Sequence, residues 1–284
     1  MAGWADGYWT SGDGLRLHYR DYPGDPGRAP VLCIPGLTRN ARDFEVVASR
    51  LAGERRVIAV DLRGRGGSAH AKDPMTYVPP VYAQDVQALL DALGLERVVL
   101  FGTSLGGLVT MLLAWSGERR IAGALINDVG PVVEPAGIAR IRTYVGKPQS
   151  WPTWLHAARD FQEAQGSVYP SWGIDQWLVY AKRVCRLNSG GRVVFDYDMK
   201  IAEPLKAPVD PGLDLWPAFR ALAGVPLLVV RGERSDLLSE ATLTRMREEA
   251  PVMEAVTVPG VGHAPTLEEA EVEAGIARLL EKVG

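Results

Sequence analysis

The chain has 284 residues, 47% hydrophobic and 23% charged, the balance of an ordinary soluble globular protein rather than of a disordered or fibrous one. A formal net charge of -3 argues against a general nucleic-acid binder, because no basic excess exists to neutralise phosphates. Two cysteines, Cys33 in "VLCIP" and Cys185 after "AKRV", form neither a CxxC pair nor a metal-ligand spacing, so neither a disulfide framework nor a metal site is expected.

The amino-terminal stretch "MAGWADGYWTSGDG" has no basic start followed by an apolar run, so no signal peptide is expected. "SGDG" reads as a hairpin turn leading into "LRLHYRDY", whose apolar and polar positions alternate like those of a half-exposed strand. "PVLCIP" and "RRVIAVDL" read as buried strands. Between them "RDFEVVASRLA" places Phe44, Val47, Ala48 and Leu51 on one helical face. "VYAQDVQALLDALGL" is a second amphipathic helix, followed by the apolar strands "RVVLFG" and "IAGALIND".

From about Pro131 to Gly212 this rhythm breaks, and the segment carries Trp151, Trp154, Phe161, Tyr169, Trp172, Trp177 and Tyr180 with helical hints and no buried-strand run. Alternation returns with "VPLLVVRG", the helix "SEATLTRMREEA", the strand "MEAVTVPG" and a final helix over "TLEEAEVEAGIARLLEKV". The expected fold is therefore α/β, a mainly parallel sheet with helices on both faces. Residues 1–131 and 213–284 would form the core, and 132–212 a helical cap over the carboxyl edge of the sheet. Trp151 and Trp154 are the candidate pocket residues within that cap. No apolar run reaches a membrane-spanning length, so a cytoplasmic protein without a membrane partner is expected.

One short stretch carries chemistry. "VVLFGTSLGG" runs from a strand into Gly102-Thr103-Ser104-Leu105-Gly106 and then into a helix, the G-x-S-x-G pattern that pushes a serine hydroxyl out of a strained turn. A serine needs a base to become nucleophilic. Of four histidines, His18 sits in a strand, His70 in a polar turn and His156 in the aromatic segment. His263, in "VPGVGHAPTLEE", lies in a loop after the last strand, at the edge where Ser104 emerges, and is the expected base. An acid must then orient the imidazole. Asp236 in "RGERSD" and Asp128 in "LINDVGP" both end apolar strands at that edge, and the order Ser, Asp, His suits either. Asp236 is preferred, since its loop of several residues leaves it room to reach the histidine; Asp128 is the alternative.

The elbow "GTSLGG", the turn "DLRGRGGS" after Asp61, the loop "RGERSD" and the loop "GVGHAP" together resemble the α/β-hydrolase superfamily over nearly the whole length outside the cap. The resemblance implies a serine hydrolase without a metal or organic cofactor, with oxyanion donors at the backbone N–H groups of Leu37 and Leu105. It also implies that Asp61, Arg63 and Ser68 serve as scaffold. Where such proteins commonly carry His-Gly, this chain has "IPGL", which leaves the backbone donor in place. With an aromatic cap the expected substrate is a small to medium carboxylic ester of largely apolar character. A lactone or carbon–carbon bond hydrolysed by the same residues is the alternative, as is a small-molecule receptor on the same fold. Arg39 and Asn40, in the loop after "IPGL", are candidates to line a pocket or simply to brace the loop.

Overall fold

Strands with no polar face must be covered on both sides, and the chain supplies helices to do it. The computed structural model describes residues 3–206 and 214–284. In order, these form β1 (Ala5–Thr10), β2 (Arg16–Tyr22), β3 (Val31–Ile34), α1 (Glu45–Leu51), β4 (Val57–Asp61), α2 (Pro79–Ala92), β5 (Val98–Thr103), α3 (Leu105–Trp115) and β6 (Ile121–Asn127). After an intervening segment come α7 (Trp216–Arg220), β10 (Leu227–Gly232), α8 (Glu240–Glu249), β11 (Glu254–Val258) and α9 (Ala270–Val283).

Eight strands make one sheet in the order β1-β2-β4-β3-β5-β6-β10-β11. The β1–β2 and β2–β4 pairs are antiparallel, and the remaining pairs of this sheet, from β4–β3 across to β10–β11, are parallel. The two-residue period of a strand sorts the core. Leu32 and Ile34 point into the cluster under α2, α3, α7 and α8, while Val31 and Cys33 point into the one under α1 and α9. Val86, Leu89, Val109 and Phe219 fill the first layer; Val47, Leu51, Ile276 and Leu280 fill the second.

The segment between β6 and α7 contains α4 (Pro135–Tyr144), β7 (Ser150–Trp151), α5 (Trp154–Gln165), α6 (Ile174–Val184), β8 (Cys185–Leu187) and β9 (Val193–Phe195). It is not purely helical, because its three strands form a separate antiparallel sheet in the order β7-β9-β8. Strands of two or three residues are too short to show a period in the sequence, so this sheet was not legible there. The expected boundary at residues 212 and 213 lies outside the described residues. The segment is fastened to the core by polar bonds. Arg42 Nη2 donates to Asp196 at 2.6 Å, Asn40 Nδ2 to the Arg183 carbonyl at 2.9 Å, and Tyr77 Oη to Asp198 at 2.7 Å.

Parallel strands end together, and here the ends of β5, β6, β10 and β11 deliver Ser104, Asp128, Asp236 and His263 to one edge. The turn at Ser104 depends on backbone passing backbone. A Cβ on Gly102 would lie 2.3 Å from the Gly106 carbonyl oxygen, and one on Gly106 only 2.0 Å from that of Ile34. Neither contact can be relieved by rotating a side chain. Gly106→Ala is therefore expected to destabilise the fold by roughly 3 kcal/mol or more, read as a fall of about 6–12 °C in Tm. An unchanged melting curve would show that the elbow tolerates the extra atom.

Candidate active site

Ser104 occupies φ 53°, ψ -114°, a region that side chains rarely adopt, at the position capping the amino end of α3. The strain is held by its neighbours. Ser104 N donates to the Asn127 carbonyl at 2.8 Å, and the Ser104 carbonyl accepts from Gly107 N at 2.8 Å. The hydroxyl is thereby fixed above the strand end, where His263 meets it: Nε2 lies 2.9 Å from Ser104 Oγ.

The carboxylate that meets His263 is not the expected one. His263 Nδ1 lies 2.8 Å from Asp128 Oδ2, and no such bond reaches Asp236. Asp128 is fully buried, with φ 58°, and its other oxygen accepts from Gly232 N at 2.8 Å. That left-handed turn at the tip of β6 aims the carboxylate across β10 at the histidine loop. Asp236 is instead held by Arg140 on α4, through Nε at 2.5 Å and Nη2 at 2.8 Å. The Arg140 hydrogen bonds keep the Asp236 carboxyl below the usual carboxylate range. It is close enough to feel His263, but its acceptor edge is engaged elsewhere. The preference for Asp236 is corrected to Asp128, and the physical reason is this cap arginine.

The loop bearing His263 is itself anchored. Asn127 Nδ2 donates to the Pro265 carbonyl at 2.8 Å, and Tyr169 Oη to the Ala264 carbonyl at 2.7 Å. On the other side of Ser104, Leu105 begins α3, so its N–H is among those a helix leaves without an intrahelical carbonyl. Leu37 N makes no backbone hydrogen bond among the described residues, and the Leu37 carbonyl accepts from Arg65 Nε at 2.9 Å. Arg65 thus orients the loop from the turn after Asp61. Asp61 accepts from Ala41 N at 2.7 Å, Gly67 N at 2.8 Å and His18 Nδ1 at 2.7 Å, a bracing arrangement. Arg63 is buried against Asp85 and Asp13, and Ser68 Oγ donates to the Asp61 carbonyl at 2.6 Å. His70 is exposed near Asp198, and His156 bonds Thr153 at the start of α5.

Ser104 and His263 open onto a cavity of about 300 Å³ between the sheet edge and the segment above it. That is the lower end of the size of small-molecule sites. Trp151 and Trp154 do not line it. Trp151 is buried against Phe161 and Phe195, with its indole N–H on Asp160, and Trp154 packs on the same cluster. Both hold the segment together. The aromatic wall comes instead from Phe161, Tyr169, Trp172 and Tyr180, with Tyr169 and Trp172 stacked at 3.8 Å.

Arg140 and Tyr144 also line the cavity and were missed in the sequence, although their spacing on α4 puts them on one helical face. Arg39 lines it too, held to Asp43 by Nε at 2.5 Å and Nη2 at 2.8 Å and lying over the Tyr180 ring. Burial works against the Arg39 charge, and the Asp43 carboxylate more than offsets it. Asn40 turns away, bonding the Arg183 carbonyl. Among the described residues no cluster of His, Cys, Asp and Glu could hold a metal ion, and no helix is long and apolar enough to cross a membrane.

The model of the Alpha/beta hydrolase family matches residues 31–275 of the chain. The chain is 36% identical over 260 residues to the 3-hydroxybutyrate-oligomer hydrolase of Cupriavidus necator, covering 88% of each. It is 28% identical to the 2-(acetamidomethylene)succinate hydrolase of Mesorhizobium japonicum, over 84% of this chain and 83% of that one. Among solved structures, an alpha/beta hydrolase from Novosphingobium aromaticivorans superposes with TM-score 0.95 at 60% identity, over 99% of both chains.

The two aspartates are separated by one comparison. Asp128→Asn should cut kcat on a chromogenic ester by about 10⁴-fold, since it holds the imidazole in the wrong tautomer. Asp236→Asn should leave most of kcat. The opposite ranking would return the acid to the β10 loop.

Proposed function

The chain belongs to the alpha/beta hydrolase family, and from that premise we propose that it is a serine hydrolase of small to medium carboxylic esters, working through an acyl-enzyme. The observation that carries this reading is the unbroken line of hydrogen-bonding groups from Asp128 through His263 to Ser104, at 2.8 and 2.9 Å. In the proposed reaction His263 Nε2 takes the Ser104 proton as Oγ attacks the ester carbonyl. The oxyanion forms between the N–H groups of Leu37 and Leu105. His263 then passes the proton to the departing alcohol, and the acyl group stays on Ser104. A water that loses its proton to His263 attacks the acyl carbon, the C–Oγ bond breaks, and the proton returns to Ser104 as the acid leaves.

Asp128 is the group that makes the imidazole a competent base in this scheme. It holds Nδ1 protonated and stabilises the imidazolium as it forms, while its own second oxygen stays on Gly232. Similarity to a protein named for hydrolysing 3-hydroxybutyrate oligomers supports an ester as the scissile bond, because hydroxy-acid units join as esters. The cavity volume supports a substrate of few carbons rather than a long-chain lipid.

Ser104→Ala tests the reading. It should keep the melting temperature near that of the parent and lower kcat on short-chain esters by about 10⁴–10⁶-fold. Near-normal hydrolysis by the variant would refute the nucleophile. A parent protein that binds esters tightly and turns none over would point to a receptor instead.

A further inference from the structure

The cavity wall holds more cation than ester cleavage requires. Arg39, Arg140 and Arg183 line it together with Ser104 and His263, against two carboxylates, Asp43 on Arg39 and Asp160 on the Trp151 indole, whereas the counterions of Arg140 and Arg183, namely Asp236 and Glu268, lie outside it. Arg140 gives Nε and Nη2 to Asp236, and its Nη1 edge has no carboxylate partner among the described residues. The Tyr144 phenol lies beside that guanidinium. Arg39 repeats the pattern, with Nε and Nη2 on Asp43 and the Nη1 edge left over, its side chain only 19% exposed.

Each guanidinium is thus clamped on one edge by a protein carboxylate, and no second carboxylate meets the other edge, where Arg140 has the Tyr144 phenol as a neutral partner. A planar fork held this way is matched by a carboxylate, which accepts two parallel N–H bonds, better than by a neutral ester oxygen. The Arg39 stem also stands close to the chemistry. The point a Cβ on Gly36 would occupy lies 3.4 Å from Arg39 Cγ and 3.6 Å from Ser104 Cβ, so the two side chains flank one spot. Tyr144 is in electrostatic range of both Arg140 and Arg39. A purely apolar substrate filling the cavity would take water from these donors without replacing it.

We propose that Arg140 and Arg39, with the Tyr144 phenol, form a subsite for a free carboxylate on the substrate, so that the esters cleaved at Ser104 are anionic ones. The inference rests on the serine-hydrolase reading for the reacting end of the substrate only. The carboxylate is recognised at the cap side of the cavity, and Arg140 is its principal contact because its counterion stands outside the wall.

Binding tests this independently of turnover. The Ser104→Ala protein is titrated calorimetrically with monomethyl succinate, glutarate and adipate and with the corresponding dimethyl esters. At least one monoanion should bind about tenfold more tightly than its neutral partner, the range of a charge-assisted hydrogen bond. Arg140→Gln added to Ser104→Ala should erase that preference. Asp236→Asn, which breaks the same ion pair but keeps the guanidinium, should retain it. Equal affinity for every acid and diester pair, no binding by any monoanion, or loss of the preference in both variants alike would overturn the subsite. Failure of the parent protein to hydrolyse any ester would sink the hydrolase reading while leaving this result standing.

Discussion

Everything at this site depends on backbone meeting backbone where β5 turns into α3. Gly102 and Gly106 bring the strand end, the helix start and the tip of β3 within distances that admit no side chain. That contact holds Ser104 in its strained conformation, and the strain sets the direction of its hydroxyl. Loosening it would lose more than one hydrogen bond, because the amides of Leu37 and Leu105 are placed by the same approach of the β3 loop to α3. The glycines are the structural cost of presenting one hydroxyl to one imidazole and two amides together.

Much of this was legible in the chain because its signals are local. The G-x-S-x-G turn between an apolar strand and an amphipathic helix, and a histidine after the last strand, depend on short spacings that a sequence displays. The acid was not legible, because the deciding facts are not local. Asp128 and Asp236 both follow strands, β6 and β10, that lie side by side in the sheet. What separates them is a left-handed residue at 128 and an arginine at 140 that takes up the carboxylate of Asp236. Neither a backbone angle at an aspartate nor a partner nearly a hundred residues away leaves a mark in the periodicity. Trp151 and Trp154 failed for a related reason. Aromatic residues cluster wherever a small layer needs a core, and only packing shows which of them face the cavity and which face each other.

The segment over the sheet is held from both ends. Asp196 and Asp198 fasten its later part to the 41–77 region through Arg42 and Tyr77, while Arg140 fastens its first helix to the loop after β10 through Asp236. The second of these fasteners also shapes the cavity. Asp236 does not meet the imidazole, and its carboxylate fixes a guanidinium on the cavity wall. The two aspartates thus divide the edge between them, Asp128 on the imidazole and Asp236 on the Arg140 guanidinium. The aromatic wall supplies apolar surface, and the arginines supply polarity at one end of it.

On the proposed reading, Ser104 is the nucleophile, activated by His263 and Asp128. Treating the protein with a p-nitrophenyl phosphonate ester and mapping the product by peptide mass spectrometry tests it directly. Attack by Ser104 Oγ expels p-nitrophenolate and leaves one phosphonyl group on that oxygen, and prior unfolding in urea should abolish the labelling. Modification at another residue, spread over several hydroxyls, or absent while ester hydrolysis continues would rule out Ser104 as the nucleophile.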